Sequence, residues 1–158
     1  MLREVFSYLI PRGWIMKIQN LIAGKQVQII AANQSVQNLV RTLNSFHIGA
    51  LVVSSDGEFI EGIVSERDIV RAMSGNFENI EELHVRDIMT VNVHTCTPES
   101  TVSELMTMMT QERIRHVPVV NSEGKLISLV SIGDIVKHHV NEISVENQAL
   151  KDYVASAN

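Results

Sequence analysis

GIVSERDIV (residues 62–70) and SLVSIGDIV (residues 128–136) are two versions of one phrase in this chain of 158 residues. Ser131 and Asp134 follow Ser65 and Asp68 at a constant distance of 66 residues. The same offset of 66 relates residues 27–36 to 93–102 and residues 48–53 to 114–119. A constant offset over most of each half indicates an internal repeat, and gene duplication is its simplest source.

Each half has the same order of predicted elements. An extended segment (27–31 or 93–97) precedes a helix whose apolar residues recur with helical spacing. Two strands follow, joined by a turn that contains Asp56-Gly57 or Glu123-Gly124, and a second helix ends the unit. The sequence therefore predicts an α/β fold of two β-α-β-β-α repeats. A unit of about 60 residues buries too little surface to be stable alone, so we expect the repeats to pack with pseudo-two-fold symmetry.

The repeats predict five segments. Residues 17–74 form the first repeat and residues 91–140 the second, with a linker at residues 75–90. Residues 1–16 are expected to be an N-terminal extension and residues 141–158 a C-terminal helical tail.

Composition narrows the classes of function. The net charge of −5 argues against a nucleic-acid or anionic membrane partner. Cys96 is the single cysteine, so an intramolecular disulfide and a cluster of zinc-binding thiolates are excluded, and the histidines show no ligand spacing. No stretch reaches the roughly 18 apolar residues of a membrane span, and the N-terminal residues make a poor signal peptide. We expect a cytoplasmic protein without a metal.

The repeated Ser-x-x-Asp pattern has two interpretations. At a strand-to-helix turn it is typical of a capping box, in which each side chain bonds the other residue's backbone amide. The same geometry suits a nucleotide, because amides and a hydroxyl at a helix start bind phosphate and a carboxylate accepts from ribose hydroxyls. Both residue types return although the residues between them change, which favours the ligand interpretation, since capping alone tolerates Thr, Asn or Glu.

These phrases, together with IGALVV (48–53), RIRHVPVV (113–120) and VRDIMT (85–90), resemble a tandem cystathionine-β-synthase (CBS) domain pair, the Bateman module, over about residues 17–140. Because the resemblance covers nearly the whole sequence, we expect a stand-alone member of the family. The resemblance also implies binding of adenosine nucleotides or related ligands in clefts between the two repeats, and a homodimer. The implied ligands are AMP, ADP or ATP, with NAD or S-adenosylmethionine as alternatives and no obligatory cofactor.

The resemblance also implies individual site residues. The family's ribose-binding aspartate falls on Asp68 and Asp134, and its phosphate-side hydroxyl falls on Ser65 and Ser131. Arg67 lies close enough in sequence to the expected phosphate to contact it.

Phosphate contacts are expected to distinguish the two clefts. Arg115 and His116 resemble family residues that contact phosphate, whereas their first-half equivalents are Gly49 and Ala50. We therefore expect the second-half cleft to favour charged ligands and the first-half cleft to be weak or empty. The adenine is expected to lie against residues at the start of each half, with Val27, Ile29 and Ile30 facing one pocket and Val93, Thr95 and Cys96 the other.

Three classes of function stay open at this level. The first is a regulatory nucleotide sensor that signals to an unknown protein partner by conformational or oligomeric change. The second is a ligand-free scaffold for dimerisation or protein interaction. An enzyme is third, because the chain has no Gly-rich phosphate loop, no nucleophile elbow and no base placed to activate the repeated serines.

Overall fold

The structure is a computed structural model that describes residues 16–156, without the side chains of residues 76–79, 142, 146, 149–151 and 153–156. Residues 1–15 of the expected N-terminal extension lie outside the described residues. The elements, in chain order, are α1 (Gln19–Ile22), β1 (Ile29–Ile30), α2 (Val36–Phe46), β2 (Ala50–Val53), β3 (Gly62–Ser65), α3 (Glu66–Asn76), a 3-10 helix (Phe77–Glu82), α4 (Val85–Ile88), α5 (Val102–Gln111), β4 (His116–Val120), β5 (Leu126–Ser131) and α6 (Ile132–Ser156).

The strands form two small sheets. In the first sheet β1 pairs in parallel with β2, and β2 pairs antiparallel with β3. In the second sheet β4 pairs with β5. Together with the helices between them, these sheets confirm the predicted α/β class.

One predicted strand is wrong in extent. Residues 93–97, expected to be extended like residues 27–31, contribute a single bridge between Cys96 and Val119. The Cys96 backbone amide donates to the Pro118 carbonyl (3.0 Å), and the Cys96 carbonyl accepts from the Val120 amide (2.9 Å). Pro98 follows two residues later and has no N–H to donate, which prevents the ladder from continuing.

Local sequence explains where the long helices begin. Ser35 precedes α2, and its hydroxyl accepts from the Asn38 amide (3.1 Å). Thr101 precedes α5 and forms a full capping box with Glu104. Three of the four predicted apolar positions are buried in each helix, whereas Val40 is 44% exposed and Met106 is half-buried. The buried residues are Val36, Leu39 and Leu43 in α2 and Val102, Leu105 and Met109 in α5.

The described residues divide into two compact units. The larger unit comprises residues 24–97 and 117–129, and the smaller unit comprises residues 16–23, 98–116 and 130–156. The larger unit holds the first sheet with α2, α3 and α4, and the smaller unit holds α1, α5 and α6. A buried apolar cluster in the larger unit consists of Ile30, Leu39, Leu43, Leu51, Val53, Val64 and Val85.

In each unit, a short segment that precedes one repeat in the sequence bonds to the other repeat. In the larger unit, residues 83–86 bond to the start of α2 through Val36 N to Leu83 O (2.9 Å), Val85 N to Gln34 O (2.8 Å) and Arg86 N to Ala32 O (3.0 Å). In the smaller unit, residues 16–19 bond to the start of α5 through Val102 N to Met16 O (2.9 Å), Ile18 N to Ser100 O (2.9 Å) and Gln19 N to Pro98 O (3.0 Å). The three bonds correspond one to one, so the two repeats exchange their leading segments.

Candidate functional site

The first Ser-x-x-Asp pattern lies where β3 meets α3. The Ser65 backbone amide donates to Asp68 Oδ2 (2.8 Å), and the Ser65 hydroxyl donates to the same oxygen (2.7 Å). Asp68 is only 7% exposed. Its Oδ1 lies 3.4 Å from Nη1 of Arg71, whose side chain is 70% exposed. The carboxylate is therefore buried and oriented, and one of its oxygens has only a long contact to an exposed cation.

The second pattern lies where β5 meets α6 and repeats this geometry. The Ser131 amide and hydroxyl each donate to Asp134 Oδ2 (2.8 Å both), and the Asp134 amide donates back to the Ser131 hydroxyl (3.2 Å). These three bonds form a complete capping box, so the capping interpretation of the pattern is confirmed here. The cap uses Oδ2, and the ligand interpretation of both aspartates stays a prediction.

A cavity of about 340 Å³ lies beside the first helix start. It is formed within the larger unit by α3, α4 and the residues before α4. The residues that line it are Asp68, Arg71, Ala72, Gly75, Leu83, Asp87 and Ile88. A buried carboxylate, an arginine and apolar side chains around one cavity make a polar-tipped pocket of the kind that small ligands use.

The basic residues predicted to bind phosphate lie beside the second helix start. The Ile132 amide, the first of α6, donates to the Arg115 carbonyl (2.9 Å), so Arg115 neighbours Ser131 in the smaller unit. Arg115 is exposed and His116 is half-buried. The equivalent bond at the first helix start runs from Glu66 N to Gly49 O (3.1 Å). The basic pair and its Gly49-Ala50 equivalent thus occupy the same place relative to their helices.

Arg67 lies in the first turn of α3 and is exposed. Its position one residue before Asp68 is compatible with the predicted phosphate contact, which stays a prediction.

The residues predicted to line one adenine pocket do not share one face. Ile29 is 40% exposed, whereas Ile30 is 5% exposed and belongs to the core cluster of the larger unit. The difference follows from strand geometry, because successive side chains of β1 point to opposite faces. Val27, just before β1, is half-buried.

The residues predicted to line the second adenine pocket include two that line a cavity of about 290 Å³, separate from the one beside Asp68. Val93 and Thr95 line it, together with Phe59, and all three belong to the larger unit, which also contains Asp68. Cys96 is 6% exposed, and desolvation by burial raises the pKa of its thiol to about 11. A thiol with this pKa stays protonated and unreactive at neutral pH.

Asp87 lines the cavity beside Asp68, and the sequence analysis did not select it. Its segment, VRDIM (85–89), was assigned to the linker, yet it forms part of the cavity wall beside Asp68. One signal was available: IQNLI (18–22) matches VRDIM in apolar spacing at an offset of 67 instead of 66. The single-residue shift hides this match from a search at the main repeat offset.

Neither a metal site nor a membrane-spanning helix is found among the residues that the structure describes. Among the side chains that the structure describes, no three of His, Cys, Asp or Glu are grouped so that they could hold a metal ion. The helices in this part of the chain are too short or too polar to cross a bilayer.

Comparison with known proteins gives consistent matches. The family model described as CBS domain matches residues 21–75 and 85–141. CBS domain-containing protein CBSX3, mitochondrial, from Arabidopsis thaliana is 38% identical over 126 residues, covering 77% of this chain and 61% of that protein. The crystal structure of the CBS-domain containing protein ATU1752 from Agrobacterium tumefaciens superposes with a TM-score of 0.74 at 37% identity, covering 78% of this chain and 99% of that one.

A more distant structure shares the fold. The CBS domain pair of protein MJ0100, in complex with 5′-methylthioadenosine and S-adenosyl-L-methionine, superposes with a TM-score of 0.69 at 23% identity. The match covers 78% of this chain and 99% of that chain.

Proposed function

Because this chain belongs to the CBS domain family, we propose that it is a non-catalytic regulatory module that binds an adenosine-containing ligand at the helix starts of Asp68 and Asp134. Binding is proposed to shift the module between two conformational or oligomeric states that a protein partner distinguishes. The bound ligand of the MJ0100 domain pair supports the adenosyl class. A cytoplasmic location stays a prediction from composition.

The observation that carries the proposal is the repeated convergence of a serine amide and hydroxyl on one aspartate oxygen. At both starts these bonds are 2.7 to 2.8 Å long. Such bonds hold the carboxylate in one orientation before any ligand arrives, which lowers the entropic cost of binding. At the first start, the 3.4 Å contact between Asp68 Oδ1 and exposed Arg71 is weak enough for a ribose hydroxyl to replace it.

The test is calorimetric titration with AMP, ADP, ATP, NAD and S-adenosylmethionine. Asp134→Asn is expected to weaken binding at its site at least tenfold, about 1.4 kcal/mol, because it removes the charged acceptor. Asn keeps an oxygen for the Ser131 amide, so the melting temperature should change little. Asp134→Ala would also remove the cap, at a cost of about 1 kcal/mol, and is the less informative variant.

Glu104→Gln provides a matched control. Glu104 accepts from the Thr101 amide (2.8 Å) in the capping box of α5, a helix start at which no ligand is proposed. The same acid-to-amide change there should leave every ligand affinity unaltered. If Asp134→Asn and Asp68→Asn also leave all affinities unaltered, the two aspartates serve only as caps and the sensor proposal fails.

An exposed apolar face favours a second candidate, a ligand-free scaffold that dimerises. Val40 and Val70 are 44% and 63% exposed and line a groove of about 570 Å³ along α2 and α3. Phe46, at the end of α2, is 52% exposed. Covering such a surface with a second copy of the chain removes apolar area from water. Sedimentation equilibrium with and without AMP separates the candidates, since a scaffold dimerises without responding to the nucleotide.

A further inference from the structure

The cavity beside Asp68 has more negative than positive charge on its walls. Asp68 and Asp87 each contribute a carboxylate, and Arg71 is the cation among the lining residues. The Arg71 guanidinium lies 3.4 Å from Asp68 Oδ1 and is mostly in solvent, so its charge offsets that of Asp68. His84 Nδ1 lies 3.8 Å from Asp87 Oδ2 and adds charge only when protonated. Asp87 therefore adds a second carboxylate to the described wall of the cavity.

Asp87 is fixed in place by the element that bears it. Its Oδ2 accepts from the His84 amide (2.7 Å) at the start of α4. Val85, two residues earlier, is fully buried in the core cluster and donates to the Gln34 carbonyl (2.8 Å). A carboxylate on an anchored turn cannot readily move away from an incoming anion, so it acts as a standing repulsive group.

The first helix start also lacks the basic pair of the second, although Gly49 and Ala50 are not among the residues that line this cavity. Gly49, whose carbonyl accepts the Glu66 amide, occupies the place that Arg115 has beside α6, and Ala50 replaces His116. The volume of the cavity beside Asp68, about 340 Å³, is near the lower end of the range for small-molecule sites. Leu83 and Ile88 contribute apolar surface. These features suit a nucleoside-sized ligand better than a polyphosphate.

We propose that Asp87 sets the specificity of the Asp68 site, which takes a neutral or cationic adenosyl compound and rejects adenosine phosphates. The proposal rests on the proposed function, since it assumes that Asp68 binds the ribose. It replaces the expectation of a weak or empty first site with a site of different charge preference. A like-charged group fixed at the cavity wall penalises the phosphate of AMP and leaves adenosine unaffected.

The experiment uses the full chain carrying Asp134→Asn, which is expected to weaken binding at the second site at least ~10-fold. Adenosine, S-adenosylmethionine and AMP are titrated at low ionic strength, where electrostatic effects are largest. Adenosine and S-adenosylmethionine are expected to bind at least ~10-fold more tightly than AMP. Adding Asp87→Asn, which retains an acceptor for the His84 amide, should raise AMP affinity about 10-fold and change adenosine affinity by less than about 2-fold.

Glu81→Gln is the matched charge control. Glu81 is exposed and is not among the residues that line the cavity, so its neutralisation should leave the AMP-to-adenosine ratio unchanged. If AMP binds as tightly as adenosine, or if Asp87→Asn and Glu81→Gln have equal effects, the role of Asp87 is refuted while the proposed function stands. If none of the three ligands binds, the proposed function at this site is refuted, and the inference with it.

Discussion

Replacing Gly62 by alanine should detach the segment around Thr90 from the first repeat. A Cβ at Gly62 would lie 2.8 Å from Met89 Sδ and 2.9 Å from the Thr90 carbonyl oxygen. The methionine can move, but the carbonyl belongs to a backbone that is held by Ile63 N to Thr90 O (3.0 Å) and Thr90 N to Ile63 O (2.9 Å). Relief of the clash therefore requires displacement of Thr90 and loss of these two bonds.

The expected cost follows from these contacts. Overpacking of a buried position costs about 1–3 kcal/mol, and each backbone hydrogen bond contributes about 0.5–1.5 kcal/mol. Since part of the strain is relieved when the bonds break, we expect Gly62→Ala to lower the free energy of unfolding by about 2–4 kcal/mol. Urea unfolding measures this loss, and hydrogen exchange at the amides of Ile63 and Thr90 reports where it occurs.

Gly75→Ala is the control for this prediction. Gly75 lies in α3, and a Cβ there would meet no heavy atom within 4 Å. The substitution should stabilise the chain by up to about 1 kcal/mol through helix propensity. If Gly62→Ala unfolds at the wild-type urea concentration with undiminished protection of Thr90, the close approach of residues 89–90 to β3 is wrong, and with it the attachment of the segment that bears Asp87.

Three further predictions concern the buried groups of Ser128, Ser54 and Cys96. Ser128, 1% exposed, has a hydroxyl without a hydrogen-bond partner among the described residues, so Ser128→Ala should raise the free energy of unfolding by about 1 kcal/mol. Ser54→Ala should lower the free energy of unfolding by a similar amount, because the Ser54 hydroxyl donates to Asp56 Oδ1 (3.1 Å) and accepts from the Gly57 amide (3.0 Å). If urea unfolding shows equal effects for the two serine substitutions, the predicted opposite signs are wrong. Burial raises the pKa of the Cys96 thiol to about 11. The neutral thiol therefore contributes fully to the free energy of unfolding below the ordinary thiol pKa, and this contribution is lost as pH rises through about 11. Iodoacetamide at pH 8 should therefore label Cys96 far more slowly in the native than in the urea-unfolded chain, and equal rates would show that the thiol is accessible.

The fold was predictable because the repeat presents the same apolar pattern twice. Three of the four positions that helical spacing selected are buried in each helix, and each buried residue has its equivalent 66 positions later. The fourth pair, Val40 and Met106, is exposed and half-buried respectively. Two independent occurrences of one period separate a real helix face from chance. The equivalent pairs are Val36 and Val102, Leu39 and Leu105, and Leu43 and Met109.

The site was predictable only in part. The bonding of Ser131 to Asp134 follows from a spacing of three residues across a helix start, which is a local constraint. The placement of Asp87 beside Asp68 depends instead on bonds such as Arg86 N to Ala32 O, which join residues 54 positions apart. Backbone hydrogen bonds of this kind require no particular side chains, so the sequence carries only the weak match between residues 18–22 and 85–89 at an offset of 67.

The amino-acid sequence alone predicted the duplicated α/β unit, its helix faces and its two capped helix starts. Each of these depends on residues within a few positions of one another. Only the tertiary structure showed the exchange of leading segments and the placement of Asp68 and Asp87 at one cavity. Such features arise from packing and backbone bonding between distant segments, where many residue combinations satisfy the same contact, and for that reason no local rule anticipates them.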